Sequence, residues 1–88
     1  MKENELEKIL KALANRRRLA ILCHLKKVCE DRVGSIAGKL HLSLPATSRH
    51  LNILERANVL EKEQRGLEVL YRVGESIRPF VRHLISEF

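Results

Sequence analysis

The spacing of apolar residues changes from helical to alternating after Asn58, and that change restricts the fold more than any other feature. Before it, apolar side chains recur every three to four residues, as helices that bury one face require. After it, Val59 to Arg65 and Leu67 to Val73 form two extended runs hinged on Gly66, with Val69, Tyr71 and Val73 alternating as in a strand. A continuous helix is hard to sustain through Gly66 and that alternation. The expectation is a two-stranded hairpin with Arg65-Gly66 at its tip, in a single mainly α domain spanning residues 1–88.

The helices follow from the apolar positions and their caps. Leu6, Ile9, Leu10 and Leu13 place a first amphipathic helix over residues 5–14. Asn15 is a good N-cap for a second, in which Leu19, Ile21, Leu22 and Leu25 are apolar. Arg16, Arg17 and Arg18 fall in its first turn, where the helix dipole mildly disfavours cations, so something else must favour that cluster, an acidic side chain or a phosphate being two candidates. Lys26 to Arg32 reads as a polar connector. Val33 to Leu40 is a short helix with Ile36, Ala37 and Leu40 inward. His41 and Leu42 make a tight turn, and Ser43 caps a longer helix from Leu44 to Ala57. Pro45 sits in the first turn of that helix, where its missing N–H costs nothing. A last helix over residues 75–87 carries Ile77, Phe80, Val81, Leu84, Ile85 and Phe88.

Lys and Arg number 17 against 11 acids, a net charge of +6, which favours a polyanionic partner. With 44% hydrophobic residues, 3% aromatic and no Trp, the chain suits aliphatic helix packing and is too apolar to be disordered. No apolar run approaches the roughly 20 residues of a membrane span, and no secretory h-region opens the chain. A soluble cytoplasmic protein is expected.

Two short helices with a tight turn between them, over residues 33–57, describe a helix-turn-helix. Thr47, Leu51 and Leu54 face the core, with His50 and Asn58 at the margin. Leu44, Pro45, Ser48, Arg49 and Asn52 face away, where a helix entering a major groove of double-stranded DNA needs them. Arg49 suits a bidentate contact with a guanine edge, and Ser48 suits a base or a phosphate. The ribbon of residues 59–73 then lies along the neighbouring minor groove, with Arg65, and Arg72 or Lys62 behind it, against phosphates. Glu61, Glu63 and Glu68 oppose this, so the tip alone is expected to touch DNA. The competing reading is a protein–protein interaction module whose basic face is merely solvated, without specific DNA binding.

The chain resembles the arsenical-repressor-like (ArsR) family of winged helix-turn-helix regulators. The resemblance rests on Leu10 to Leu22 (LKALANRRRLAIL), Leu40 to Leu51 (LHLSLPATSRHL), Leu54 to Leu60 (LERANVL), and Arg65-Gly66 followed by Val69-Leu-Tyr-Arg72. It implies four helices, a wing and a fifth helix, and a twofold homodimer built from the first and last helices. Leu6, Ile9, Leu10 and Leu13 with Phe80, Val81, Leu84 and Phe88 fit that role, offering more apolar surface than one small domain buries. The dimer implies a repressor on an inverted-repeat operator. By resemblance the recognition residues are Leu44, Pro45, Ser48 and Arg49, with Ser43 and Thr47 supporting the helix start. Leu44 replaces a polar residue common there and suits a thymine methyl. Asn58 replaces a glycine and tolerates the left-handed conformation. Ser35 replaces a frequent glutamate.

Many members of that family release DNA on binding a metal or a thiol oxidant. Here no Cys-x-Cys lies near Val33 to Ala37. Cys29 stands alone upstream, and Cys23 packs as a small hydrophobe. Cys23, His24 and Cys29 make a poorly spaced ligand set, and His83 with Glu87 makes only half of a site. Cys23 and Cys29 are also the redox candidates, with His24, Lys26, Lys27 and Arg32 supplying a basic neighbourhood. No metal or cofactor is expected, and the effector stays open. With no glycine-rich phosphate loop and no nucleophile–base set, an enzyme is not expected.

Overall fold

Three polar residues set the helical frame. Asn15 accepts hydrogen bonds from the backbone N–H groups of Arg17 (3.0 Å) and Arg18 (3.1 Å), which separates α1 (Glu3–Leu13) from α2 (Arg16–Val28). Ser43 Oγ accepts from the Ala46 N–H at 3.2 Å and starts α4 (Leu44–Arg56), with Pro45 in the first turn. Asn58 ends that helix at φ 62°, the left-handed conformation expected of it. Between them α3 (Val33–Leu40) closes on His41, also left-handed at φ 56°, and the Leu42 N–H donates to the Ala37 carbonyl. α3, this turn and α4 form the helix-turn-helix. The structure, a computed structural model, describes residues 1–87; Phe88, expected in the dimer surface, lies outside them.

The strands are β1 (Glu30–Arg32), β2 (Leu60–Arg65) and β3 (Glu68–Val73), in the antiparallel order β1-β3-β2. The hairpin is present, but its register pairs Arg65 with Glu68. The tip is therefore Gly66-Leu67, one residue later than expected, with Gly66 at φ 64° as a tight turn needs. β1 was not expected at all. It occupies the end of the polar connector, while α2 runs to Val28 and takes the rest. Its three residues, Glu30, Asp31 and Arg32, are too few and too polar to show alternation. They are held by β3, through Glu30 opposite Arg72 and Arg32 opposite Leu70.

One core serves every element except β1. Ile21, Leu22 and Leu25 of α2 meet Ile36 of α3, Leu51 and Leu54 of α4, and Val81 of α5 (Arg78–Leu84), all buried. The last helix is shorter than the expected 75–87. Residues 75–77 form a turn, Ile77 occupies the cap, and Pro79 lies in the first turn. Three residues assigned to the dimer surface belong to this core instead: Ile9, Leu13 and Val81 are 5%, 4% and 1% exposed. Leu6, Leu10, Phe80 and Leu84 stay 42–48% exposed on α1 and α5, and a groove runs past Leu6, Ile9, Ile77 and Phe80.

The start of α3 is held by a polar cluster on β1. Asp31 Oδ2 accepts from His24 Nε2 of α2 at 2.6 Å and from Ser35 Oγ of α3 at 2.8 Å, and Oδ1 accepts from the Arg32 N–H at 2.9 Å. Burial pushes this carboxyl's pKa up. The hydrogen bonds from His24, Ser35 and Arg32 outweigh it and leave the pKa below the usual carboxylate value. A depressed carboxylate stabilises the fold above its ordinary pKa of about 3.9, and that contribution is lost as pH falls below it. Asp31→Asn is expected to cost about 1.5–3 kcal/mol at neutral pH. The deficit should shrink below pH ~4, which urea melts across the acid range will measure. A constant deficit would mean that the Asp31 charge is not what holds the cluster.

Candidate nucleic-acid interface

α4 divides along its length as its sequence dictates. Thr47, Leu51 and Leu54 are fully buried, and Thr47 Oγ1 donates to the Ser43 carbonyl at 2.8 Å, fixing the helix start. Leu44, Pro45, Ser48, Arg49 and Asn52 are exposed along the opposite side, Leu44 at 55%. Arg49 has no carboxylate within 4 Å among the described residues. The outward face thus offers a fork of guanidinium donors beside small polar and apolar side chains, on a helix held by three anchors.

His50 sits at the margin of this face, half-buried. Burial first, then the positive charges of Arg18, Arg17 and Arg49, lower its pKa from the usual imidazole value. The neutral ring lies with Nδ1 3.4 Å from Arg18 Nη1. Arg18 also donates from Nε to the Ala12 carbonyl (2.5 Å) and from Nη2 to the Lys11 carbonyl (3.4 Å), so it ties the end of α1 to the middle of α4.

The wing carries its own counter-charges. Arg65 is not free at the tip. Its guanidinium donates to Glu30 Oε2 at 2.8 Å, to Glu63 Oε1 at 3.1 Å and to Glu63 Oε2 at 3.3 Å. Arg72 donates to Glu63 Oε1 at 2.8 Å and lies 3.6 Å from Glu61, Arg32 donates to Glu68 at 2.7 Å, and Lys62 lies 4.0 Å from Glu55. Hydrogen bonds from Arg65, then Arg72, hold the Glu63 carboxyl below the ordinary range. Strand register explains the network. Glu61, Glu63 and Arg65 of β2, Glu68 and Arg72 of β3, and Glu30 and Arg32 of β1 all point to one side of the sheet. Four glutamates meet three arginines there. Glu30, the partner in the shortest hydrogen bond of Arg65, belongs to the strand that sequence periodicity missed. Leu67 at the tip is fully exposed.

The sensing candidates are scattered. Cys23 packs half-buried against the core, Cys29 is exposed at φ 74°, and both are free thiols. His24 is committed to Asp31, which removes it from a set with the two cysteines. His83 is exposed on α5, and Glu87 lies beyond the end of that helix. No group of three His, Cys, Asp or Glu side chains converges among the described residues. No helix among them is long and apolar enough to cross a membrane.

Residues 15–62 match the family described as bacterial regulatory protein, arsR family. The transcriptional repressor SmtB of Mycobacterium tuberculosis is 39% identical over 67 residues, covering 76% of this chain and 49% of SmtB. The transcriptional activator HlyU of Vibrio cholerae is 38% identical over 68 residues, covering 77% of this chain and 62% of HlyU. This chain therefore spans about half the length of one relative and under two thirds of the other. A solved HlyU structure from that organism superposes with a TM-score of 0.85 at 32% identity, covering 100% of this chain and 98% of the HlyU chain. The homodimeric winged helix-turn-helix DNA-binding domain of Mb0332 from Mycobacterium bovis superposes at 0.81 with 30% identity, covering 94% and 73%. The fold is a winged helix-turn-helix, and the chain belongs to the arsR family of bacterial regulatory proteins.

Proposed function

We propose that this protein is a sequence-specific, double-stranded-DNA-binding transcriptional regulator. In this reading it is a cytoplasmic homodimer that represses by occupying an inverted-repeat operator. The observation that carries the reading is the outward face of α4. Arg49, Ser48 and Asn52 stand exposed on a helix whose start is fixed by Ser43 and Thr47, and among the described residues no acid neutralises Arg49. Arg49 reads a guanine edge, Ser48 a base or phosphate, and Leu44 a thymine methyl, while Pro45 keeps the helix start compact. The four exposed apolar side chains on α1 and α5 join two copies, which sets two such helices about one DNA turn apart, roughly 34–36 Å. The repressor name of SmtB and the homodimeric description of the Mb0332 domain support both halves of the reading. Nothing in it requires a catalytic step.

The test is selection of bound duplexes from a random pool, with the affinity of the winner followed against salt. An enriched inverted repeat is expected, with affinity falling steeply as salt rises. Equal weak binding to every sequence would reject specific recognition and leave a protein–protein role for the exposed face of α4.

A further inference from the structure

Among the described residues, the arginine run at the start of α2 has no counter-charge. The first turn of α2 holds no acid, so Arg16 and Arg17 work against the helix dipole. Only Arg18 is used internally, bridging the Ala12 and Lys11 carbonyls to His50. Arg16 and Arg17 are exposed, and among the described residues neither has a carboxylate within 4 Å. No acid of the described chain neutralises them, so their charge is open to an external anion.

Position narrows that anion. The Arg18–His50 contact packs the start of α2 beside the middle of α4, and the charges of Arg17 and Arg49 both bear on that same imidazole. The basic patch therefore spans two elements and flanks the exposed face of α4. The surrounding sequence is one-sided. No acid occurs between Glu7 and Glu30, and none between Asp31 and Glu55, whereas the wing carries its own neutralising glutamates. A phosphate approaching the wing meets a face with one more glutamate than arginine. A phosphate approaching the start of α2 and the first half of α4 meets arginines and no acid from either helix.

We infer that Arg16 and Arg17, flanking the base-reading Arg49, form the principal phosphate-anchoring patch of this protein, and that the paired arginines of the wing do not anchor DNA. The occupant is the DNA backbone flanking the major groove that α4 enters, so the inference rests on the DNA-binding reading above. Phosphate contacts of this kind supply affinity without sequence information.

The experiment compares wild type, Arg16→Gln with Arg17→Gln, and Arg65→Gln on the selected operator and on an unrelated duplex across a salt series. Each lost phosphate contact lowers the slope of log affinity against log salt by about 0.9, and two residues in each of two protomers lower it by roughly 2–4. The double variant should weaken binding to both duplexes by similar factors and keep their ratio. Arg65→Gln should leave the slope unchanged. An unchanged slope in the double variant, or a lowered one in Arg65→Gln, overturns the inference while leaving specific recognition intact. Flat wild-type binding, with no enriched duplex, overturns the DNA-binding reading itself. A second measurement needs no DNA: Arg17→Gln should raise the pKa of His50 in the free protein, read by NMR of the imidazole. A His50 that does not respond would place Arg17 away from α4 and end the argument.

Discussion

Arg49→Ala is expected to abolish operator discrimination while leaving the folded dimer unchanged. A bidentate arginine–guanine contact is worth about 1–3 kcal/mol of discrimination. A twofold dimer loses it twice, so the expected cost is about 2–6 kcal/mol, roughly 30-fold to 10⁴-fold in affinity for the selected operator. Stability should move little, because Arg49 is exposed and has no carboxylate within 4 Å among the described residues. Exposed substitutions of that kind fall within about 0.5 kcal/mol. Arg49→Lys separates charge from geometry. It keeps the positive charge but lacks the planar fork, so it should recover non-specific binding without recovering discrimination. Fluorescence anisotropy on the operator and a scrambled duplex reads both effects. Operator affinity of Arg49→Ala equal to wild type would remove α4 from the recognition surface.

Most of the frame was legible because it is written in local chemistry. Asn15, Ser43 and Asn58 declare helix boundaries through their own backbone hydrogen bonds or left-handed conformations, and no distant contact is needed to read them. The inward and outward faces of α4 follow from spacing alone. What escaped notice is non-local. β1 exists because β3 pairs with it, and its three charged residues carry no apolar period. Missing β1 hid Glu30, and with it the ion pairs that hold Arg65 on the sheet. The cluster of His24, Asp31 and Ser35 was hidden for the same reason, since it joins two helices through that strand. Ser35 thereby acquires a role that its sequence position did not suggest.

Periodicity has a second limit, visible in the apolar stripe of α1. Leu6, Ile9, Leu10 and Leu13 share one face, yet Ile9 and Leu13 are buried in their own chain while Leu6 and Leu10 are nearly half exposed. A stripe wider than the local core reads the same whether a second copy covers it or not; burial in one chain separates the two sets. Leu6→Gln with Leu10→Gln is therefore expected to give a folded monomer. Gln keeps good helix propensity and adds no charge that would itself perturb DNA binding. Across a twofold interface the pair removes four leucines and buries four amides, a penalty on the order of 4–8 kcal/mol of dimer stability. Sedimentation should show the monomer at concentrations where wild type is dimeric, and the thermal unfolding of the chain should stay cooperative. Operator binding should fall by ~100-fold or more, since the second half-site is no longer engaged at the effective concentration a linked copy provides. Binding to an isolated half-site should be preserved, because α4 is untouched. A variant that still sediments as a dimer would place the interface elsewhere, on a surface that does not include Leu6 and Leu10.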